Sequence, residues 1–241
     1  MIRILRAYLF QGYWWSSVYT HSSAAAAPAP DPRVARPWGP AEMEDQLLQL
    51  LPARKGHFQY ESGHHGDLWL DLELLCLHPD RLQPFAAQLA TRLVQYDLEA
   101  VCGPLVEGAF VALMLAPQLG VSFTYSERFE NPGRTGLYPV KYRIPAALRG
   151  RLRGRRVAIV NDVIGAGSAV LGTLEDLEAC GANVVAIGTL AVLGSTAARF
   201  AAEKQIALEV LLTIPGVIWS PEECPQCVRQ VPLSTGSTSG N

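Results

Sequence analysis

Four consecutive apolar residues, Val157 to Val160, run into an amide and a carboxylate, Asn161-Asp162, and then, past Val163-Ile164, into the small-residue stretch Gly165-Ala166-Gly167-Ser168-Ala169. An unbroken apolar run bounded by turn residues reads as a strand buried on both faces, the habit of parallel sheets covered by helices. The strand is predicted over 155–160 and the following helix over 168–180, stopped by Gly181. Backbone N–H groups in such a loop, with the positive end of the helix dipole, make an anion site. Gly165 and Gly167 permit close approach of a phosphate, and Ser168 is expected to add a hydrogen bond or cap the helix. Asn161 and Asp162 are suited to hydrogen-bonding vicinal ribose hydroxyls at the carboxyl end of the strand, where ligands of open α/β sheets gather. The alternative is an ordinary strand–helix turn with a serine cap.

The flanking sequence alternates in the same way. Strands are expected over 98–102, 121–125, 184–193 and 208–213, and helices over about 107–118 and 195–204. Pro79 opens a helix whose Leu82, Phe85, Ala86, Leu89 and Leu93 form one apolar stripe. Upstream, residues 44–51 read as a short amphipathic helix, and 57–61 and 67–72 as strands around a turn at 62–66. Residues 126–150 read as a long polar loop punctuated by Pro132, Gly133, Gly136 and Pro139. The fold class is α/β, with a mostly parallel central sheet flanked by helices.

Residues 1–42 are expected to be a disordered or spurious extension ahead of a start at Met43, with a weak signal peptide as the alternative. The Ser/Thr/Gly run at 234–241 is expected to be a disordered tail. A formal charge of −2 gives no general attraction to nucleic acid or anionic membrane, and no stretch has the roughly 20 apolar residues of a membrane span. Arg149, Arg151, Arg153, Arg155 and Arg156 read as a solvated connection, with phosphate or nucleic-acid contact as the alternative. The five scattered cysteines suit a reducing cytoplasm. Cys224-x-x-Cys227 reads as a structural tail, with half of a metal site or a redox pair as the alternatives, and His64-His65 as a polar turn, with a substrate-facing role as the alternative. Zinc needs four ligands, and no second CxxC or HxxxH is present, so no metal site is assigned.

The 157–169 run resembles the 5-phosphoribosyl 1-pyrophosphate (PRPP) signature of type I phosphoribosyltransferases. Gly56-His57-Phe58 with Ser62-Gly63, Gly103 to Ala109, Glu127-Arg128 through Gly136, and Glu222 to Cys227 with Val231-Pro232-Leu233 resemble, in order, bacterial orotate phosphoribosyltransferases over about residues 43–233. The resemblance implies a small hood from 43–78 and the C-terminal segment. It also implies a cytoplasmic homodimer that converts PRPP and a nucleobase, orotate, to orotidine 5'-phosphate and pyrophosphate, with Mg²⁺ held mainly through PRPP. On that reading Asn161 and Asp162 orient the ribose, and Gly165, Ala166, Gly167, Ser168 and Ala169 take the 5-phosphate. Leu105, Val106, Glu107 and Gly108 meet pyrophosphate, while Arg128, Arg134 and Lys141 close over it; Arg128, Arg134 and Asp162 are the catalytic candidates. The sequence departs from the pattern at several positions, among them arginines where lysines are usual in the loop from Glu127 to Gly136. Asn161 replaces an acid, Glu61 a lysine, and Glu107 a glycine or lysine, while Gly194-Ser195 stands where an Asp-Arg pair would grip orotate. These departures leave open another base, or a catalytically weak PRPP-sensing protein.

Overall fold

The computed structural model describes residues 39–130, 136–234 and 236. The chain runs α1 Pro40–Gln49, β1 Ala53–Gln59, β2 His65–Leu70, α2 Pro79–Leu93, β3 Ala100–Pro104, α3 Glu107–Leu119, β4 Ser122–Glu130 and β5 Val140–Arg143. It continues through α4 Ala146–Leu152, β6 Arg156–Ile164, α5 Ser168–Ala179, β7 Asn183–Leu193, α6 Thr196–Lys204, β8 Ala207–Ile214, β9 Ile218–Trp219 and α7 Pro225–Val228.

Six strands form the main sheet in the order β5-β4-β3-β6-β7-β8, parallel except where β5 returns against β4. Its organisation follows from β6. Val157, Ala158, Ile159 and Val160 are all fully buried, and the strand's alternation divides them between two layers. Ala158 and Val160 pack with Leu82, Phe85 and Leu89 of α2 and Val111 and Leu115 of α3. Val157 and Ile159 pack with Val170, Leu174 and Leu177 of α5 and Phe200 of α6. Each such side chain contributes roughly 1.5–3 kcal/mol of burial energy, which explains why the unbroken apolar run goes to the centre of the sheet. The second sheet is small and antiparallel, β1-β2-β9.

Several sequence expectations need correction. The first helix begins at Pro40 rather than at the expected residue 44; residues 1–38 of the expected extension lie outside the described residues. The β1–β2 turn is over by residue 64, so His65 and Gly66 belong to β2 rather than to the turn. Strand β6 runs on to Ile164, which places Asn161 and Asp162 inside it.

The stretch 126–150, expected as a loop, is largely a β4–β5 hairpin followed by α4. Val140, Tyr142 and Ile144 are buried at alternate positions, and Arg143 lies 4.5 Å over the Phe129 ring. That period-two pattern outweighs the proline and glycine signals around it. In the expected tail, Ser234 bridges to Phe58, and the Gly236 carbonyl accepts a hydrogen bond from Arg54.

Among the described helices none is long and apolar enough to cross a membrane. Of the arginine run, Arg149 pairs with Asp176, Arg155 with Glu99, and Arg156 donates to the Tyr96 carbonyl.

Candidate active site

Parallel strands β3 and β6 end side by side, and the loops that leave them open into one cavity of about 290 Å³. Residues 104–108 form one edge and 161–170 another, while Tyr60, Glu61, Ser62 and Trp69 of the small sheet face them. The sequence-predicted Leu105, Val106, Glu107, Gly108, Asn161, Asp162, Gly165, Ala166, Gly167, Ser168 and Ala169 therefore all meet in the same space.

The loop after β3 is held close by the absence of side chains. A Cβ on Gly103 would lie 2.4 Å from the Gly108 carbonyl oxygen, and one on Gly108 would lie 2.3 Å from Asn161 Oδ1. The Leu105–Val106 peptide is cis. Asn161 is buried, and its amide Nδ2 donates to the Val163 carbonyl at 2.9 Å.

Neighbouring Asp162 is also buried, and burial raises its carboxyl from 3.8 to about 7. A hydrogen bond from the Val163 backbone works against that rise, and the Glu107 carboxylate adds to it.

The loop after β6 leads into α5 and lines the cavity. Gly167 precedes α5 with φ +85°, and an added Cβ would meet the Phe200 ring at 2.9 Å, so both backbone and packing require glycine. The first-turn N–H groups of α5 have no intrahelical acceptor by geometry, and Ser168, Ala169 and Val170 line the cavity. The Ser168 side chain does not cap the helix: Gly167 is the N-cap, and the Ser168 hydroxyl donates to Glu61 Oε1 at 2.9 Å. Glu61 also accepts from the Tyr142 hydroxyl and from Arg128 Nε, both at 2.8 Å. One carboxylate thus joins the small sheet to β4, β5 and the anion loop.

The basic candidates fare differently. Arg128 lies on β4 outside the cavity lining, linked to it through Glu61. Lys141, paired across the ladder with Phe129, forms a 2.8 Å ion pair with Glu175 of α5 and does not line the cavity. Arg134 lies outside the described residues. Among the described residues the lining contains no Lys or Arg, and three carboxylates, Glu61, Glu107 and Asp162.

Sequence reasoning missed Tyr60, Trp69 and Tyr142 as wall residues. Tyr142 sat in the stretch read as loop, and its alternation with Val140 was the available signal. It also missed the convergence of His57 and His65 on Cys224 and Cys227, which lies outside this lining.

The profile of the phosphoribosyl transferase domain matches residues 82–224. An orotate phosphoribosyltransferase of Desulforamulus reducens is 30% identical over 191 residues, covering 79% of this chain and 93% of the relative. One from Thermotoga maritima is 29% identical over 201 residues, covering 82% and 99%. Among solved structures, adenine phosphoribosyltransferase from Rhodothermus marinus superposes with a TM-score of 0.57 at 19% identity, over 72% of this chain and 99% of that one. Orotate phosphoribosyltransferase from Aeropyrum pernix does so with 0.52 at 21%, over 73% and 93%. The fold is shared with both. With the signature strand, the two loops and the profile match in agreement, the chain belongs to the type I phosphoribosyltransferase family and is a PRPP-dependent transferase.

Proposed function

We propose that this chain transfers the phosphoribosyl group of PRPP to orotate, forming orotidine 5'-phosphate and pyrophosphate for pyrimidine nucleotide synthesis. The observation that carries the reading is the single cavity joining the 105–108 loop to the 165–169 loop, with Asn161 and Asp162 between them. The choice of orotate is supported by the names of the relatives at 29–30% identity.

In this reading the α5 N-terminal N–H groups and Ser168 hold the 5-phosphate, displacing the Glu61 carboxylate from the serine hydroxyl. Ionised Asp162 and the Asn161 amide orient the ribose hydroxyls, and the backbone of 105–108 meets the leaving pyrophosphate. Arg128, released from Glu61, moves toward the same end, and Arg134 and Lys141 are the other cations assigned to pyrophosphate. Catalysis then rests on positioning and charge stabilisation rather than covalent chemistry by the protein.

The donor set fits Mg²⁺ arriving with PRPP: Asp162 and Glu107 are hard oxygen donors whose mutual repulsion a divalent cation would relieve. When bound, that ion would offset negative charge on pyrophosphate, which a lining without a described Lys or Arg does not do itself. The reading also takes the protein as a cytoplasmic homodimer, checked by light scattering on the purified chain; a monomer at assay concentration would overturn that part.

A second reading is favoured by Gly194-Ser195, which offers no guanidinium for the orotate carboxylate. There the transferase acts on another base. The test is pyrophosphate release from PRPP and Mg²⁺ with orotate, then with a panel of purines and pyrimidines. Release with orotate alone supports the first reading, and release with another base supports the second. PRPP binding with no release from any base would overturn both and point to a sensor, in keeping with the hold of Glu61 on the anion loop.

A further inference from the structure

Outside the cavity, four side chains from distant parts of the chain aim their ligand atoms at one point. His57 comes from β1, His65 from β2, and Cys224 and Cys227 from the C-terminal segment around α7. His57 Nε2 lies 3.2 Å from His65 Nδ1, 3.3 Å from Cys224 Sγ and 3.6 Å from Cys227 Sγ; His65 Nδ1 lies 3.2 Å from Cys227 Sγ. All four ligand atoms fall within 4.8 Å of one another, and His57, His65 and Cys224 are buried.

Hydrogen bonding alone does not account for this cluster. One nitrogen, His57 Nε2, has three polar neighbours at contact distance, yet it can form only one hydrogen bond. A cation at the centre satisfies all four groups together. For zinc, bond lengths of about 2.0–2.1 Å to nitrogen and about 2.3 Å to sulfur give tetrahedron edges of roughly 3.3 Å between nitrogens and roughly 3.6 Å between nitrogen and sulfur. The observed separations already approach those edges.

The outer partners fit as well. His57 Nδ1 lies 2.8 Å from the Val231 carbonyl oxygen, which fixes the proton on Nδ1 and leaves Nε2 as a lone-pair donor. Metal-bound histidines are commonly oriented in this way.

We propose that His57, His65, Cys224 and Cys227 form a structural Cys₂His₂ zinc site that fastens the C-terminal segment to the small sheet. Two thiolates and two imidazoles select zinc over Mg²⁺, and four protein ligands close the coordination sphere, so the site is structural rather than catalytic. Its purpose follows from what the segment lacks. Helix α7 has four residues and none is buried, and β9 pairs with β2 through two residues. Apolar packing there is scant, and a metal clip supplies the cross-link that a core supplies elsewhere. The same hairpin carries Tyr60, Glu61 and Ser62, so the clip steadies one wall of the active-site cavity without touching it.

The test is metal content of the full chain purified under reducing conditions without chelator, together with cobalt reconstitution of stripped protein. The expected result is one zinc per chain, and for cobalt the intense visible bands of a tetrahedral thiolate site. Stripping is expected to lower the melting temperature, with zinc restoring it and Mg²⁺ failing to do so. Cys227→Ser and His65→Gln each reduce the retained zinc, and Cys227 is exposed enough for its variant to fold. Three results would overturn the proposal: no zinc before or after reconstitution, a faint octahedral cobalt spectrum, or full zinc retention in both variants. Each readout is independent of turnover, so a failed assay with orotate leaves this test intact.

Discussion

In the main sheet, Val157 to Val160 are fully enclosed and successive residues pack on opposite helix layers; in the small sheet, β1 buries only His57 and Phe58 of seven residues. The main sheet is held by area removed from water. The small sheet is held by discrete pairings: Arg54 to Asp71 at 2.8 Å, Trp69 between Phe58 and Tyr60, and the His/Cys cluster. The cavity lies between these two regimes. The 104–108 and 161–170 segments belong to the densely packed sheet, and the wall that faces them belongs to the lightly built one. A transferase that must admit a large polyanion and then exclude water gains from such a division, since weakly packed elements are the ones able to move.

The sharpest way to break this comparison is at Asp162, where the rigid sheet meets the chemistry. Asp162→Asn is expected to lower turnover by about 10²–10³-fold, comparable to losing one preorganised electrostatic contact. The pH dependence has a definite sign. Burial raises this carboxyl to about 7, so the folded state holds its proton more tightly than the unfolded chain does. The group's contribution to stability is complete below about pH 4 and is lost as pH rises through about 7. PRPP affinity is expected to run the other way, improving across the same range as the carboxylate forms. Asp162→Asn should flatten both profiles, and a wild-type affinity independent of pH would remove Asp162 from the ribose site.

Leu89→Ala, in α2 against the main sheet, is expected to cost about 2–5 kcal/mol in urea unfolding. A cost below that range would mean that this sheet is not held by its core. Glu61→Gln loosens the carboxylate that joins the two regions. The KM for PRPP should fall about 3- to 10-fold, because the phosphate no longer competes with a charge for the Ser168 hydroxyl. A rise in KM would instead make Glu61 a residue that positions the loop. The smallest effect is expected for Arg54→Ala, which removes a half-exposed ion pair of the small sheet. Its urea midpoint should move only slightly, because the small sheet divides its hold among several pairings and one such exposed pair is worth about 0–1 kcal/mol. A large shift would show that this single pair carries the sheet.

The amino-acid sequence alone determined the parallel strands of the main sheet and the small-residue loop after β6. The apolar run of β6, the stripe of α2 and the glycines at 165 and 167 are local signals, readable wherever neighbours in the chain are neighbours in the structure. The glycine requirement at 167 was visible as a turn residue, although its contact with Phe200 was not. Tertiary structure decided the rest. The β4–β5 hairpin prevailed over its proline and glycine signals because Val140 and Tyr142 found burial where β5 packs on the distant α5. Lys141 was drawn to Glu175 by register, and Glu61 reached Ser168 across 107 positions of chain.

Cys224-x-x-Cys227 showed half a ligand set, and nothing in the local pattern could say that its other half lay some 160 to 170 residues earlier in a hairpin. A pairwise meeting of side chains is set by how whole elements stack, and that depends on the packing of the full core rather than on any window of sequence.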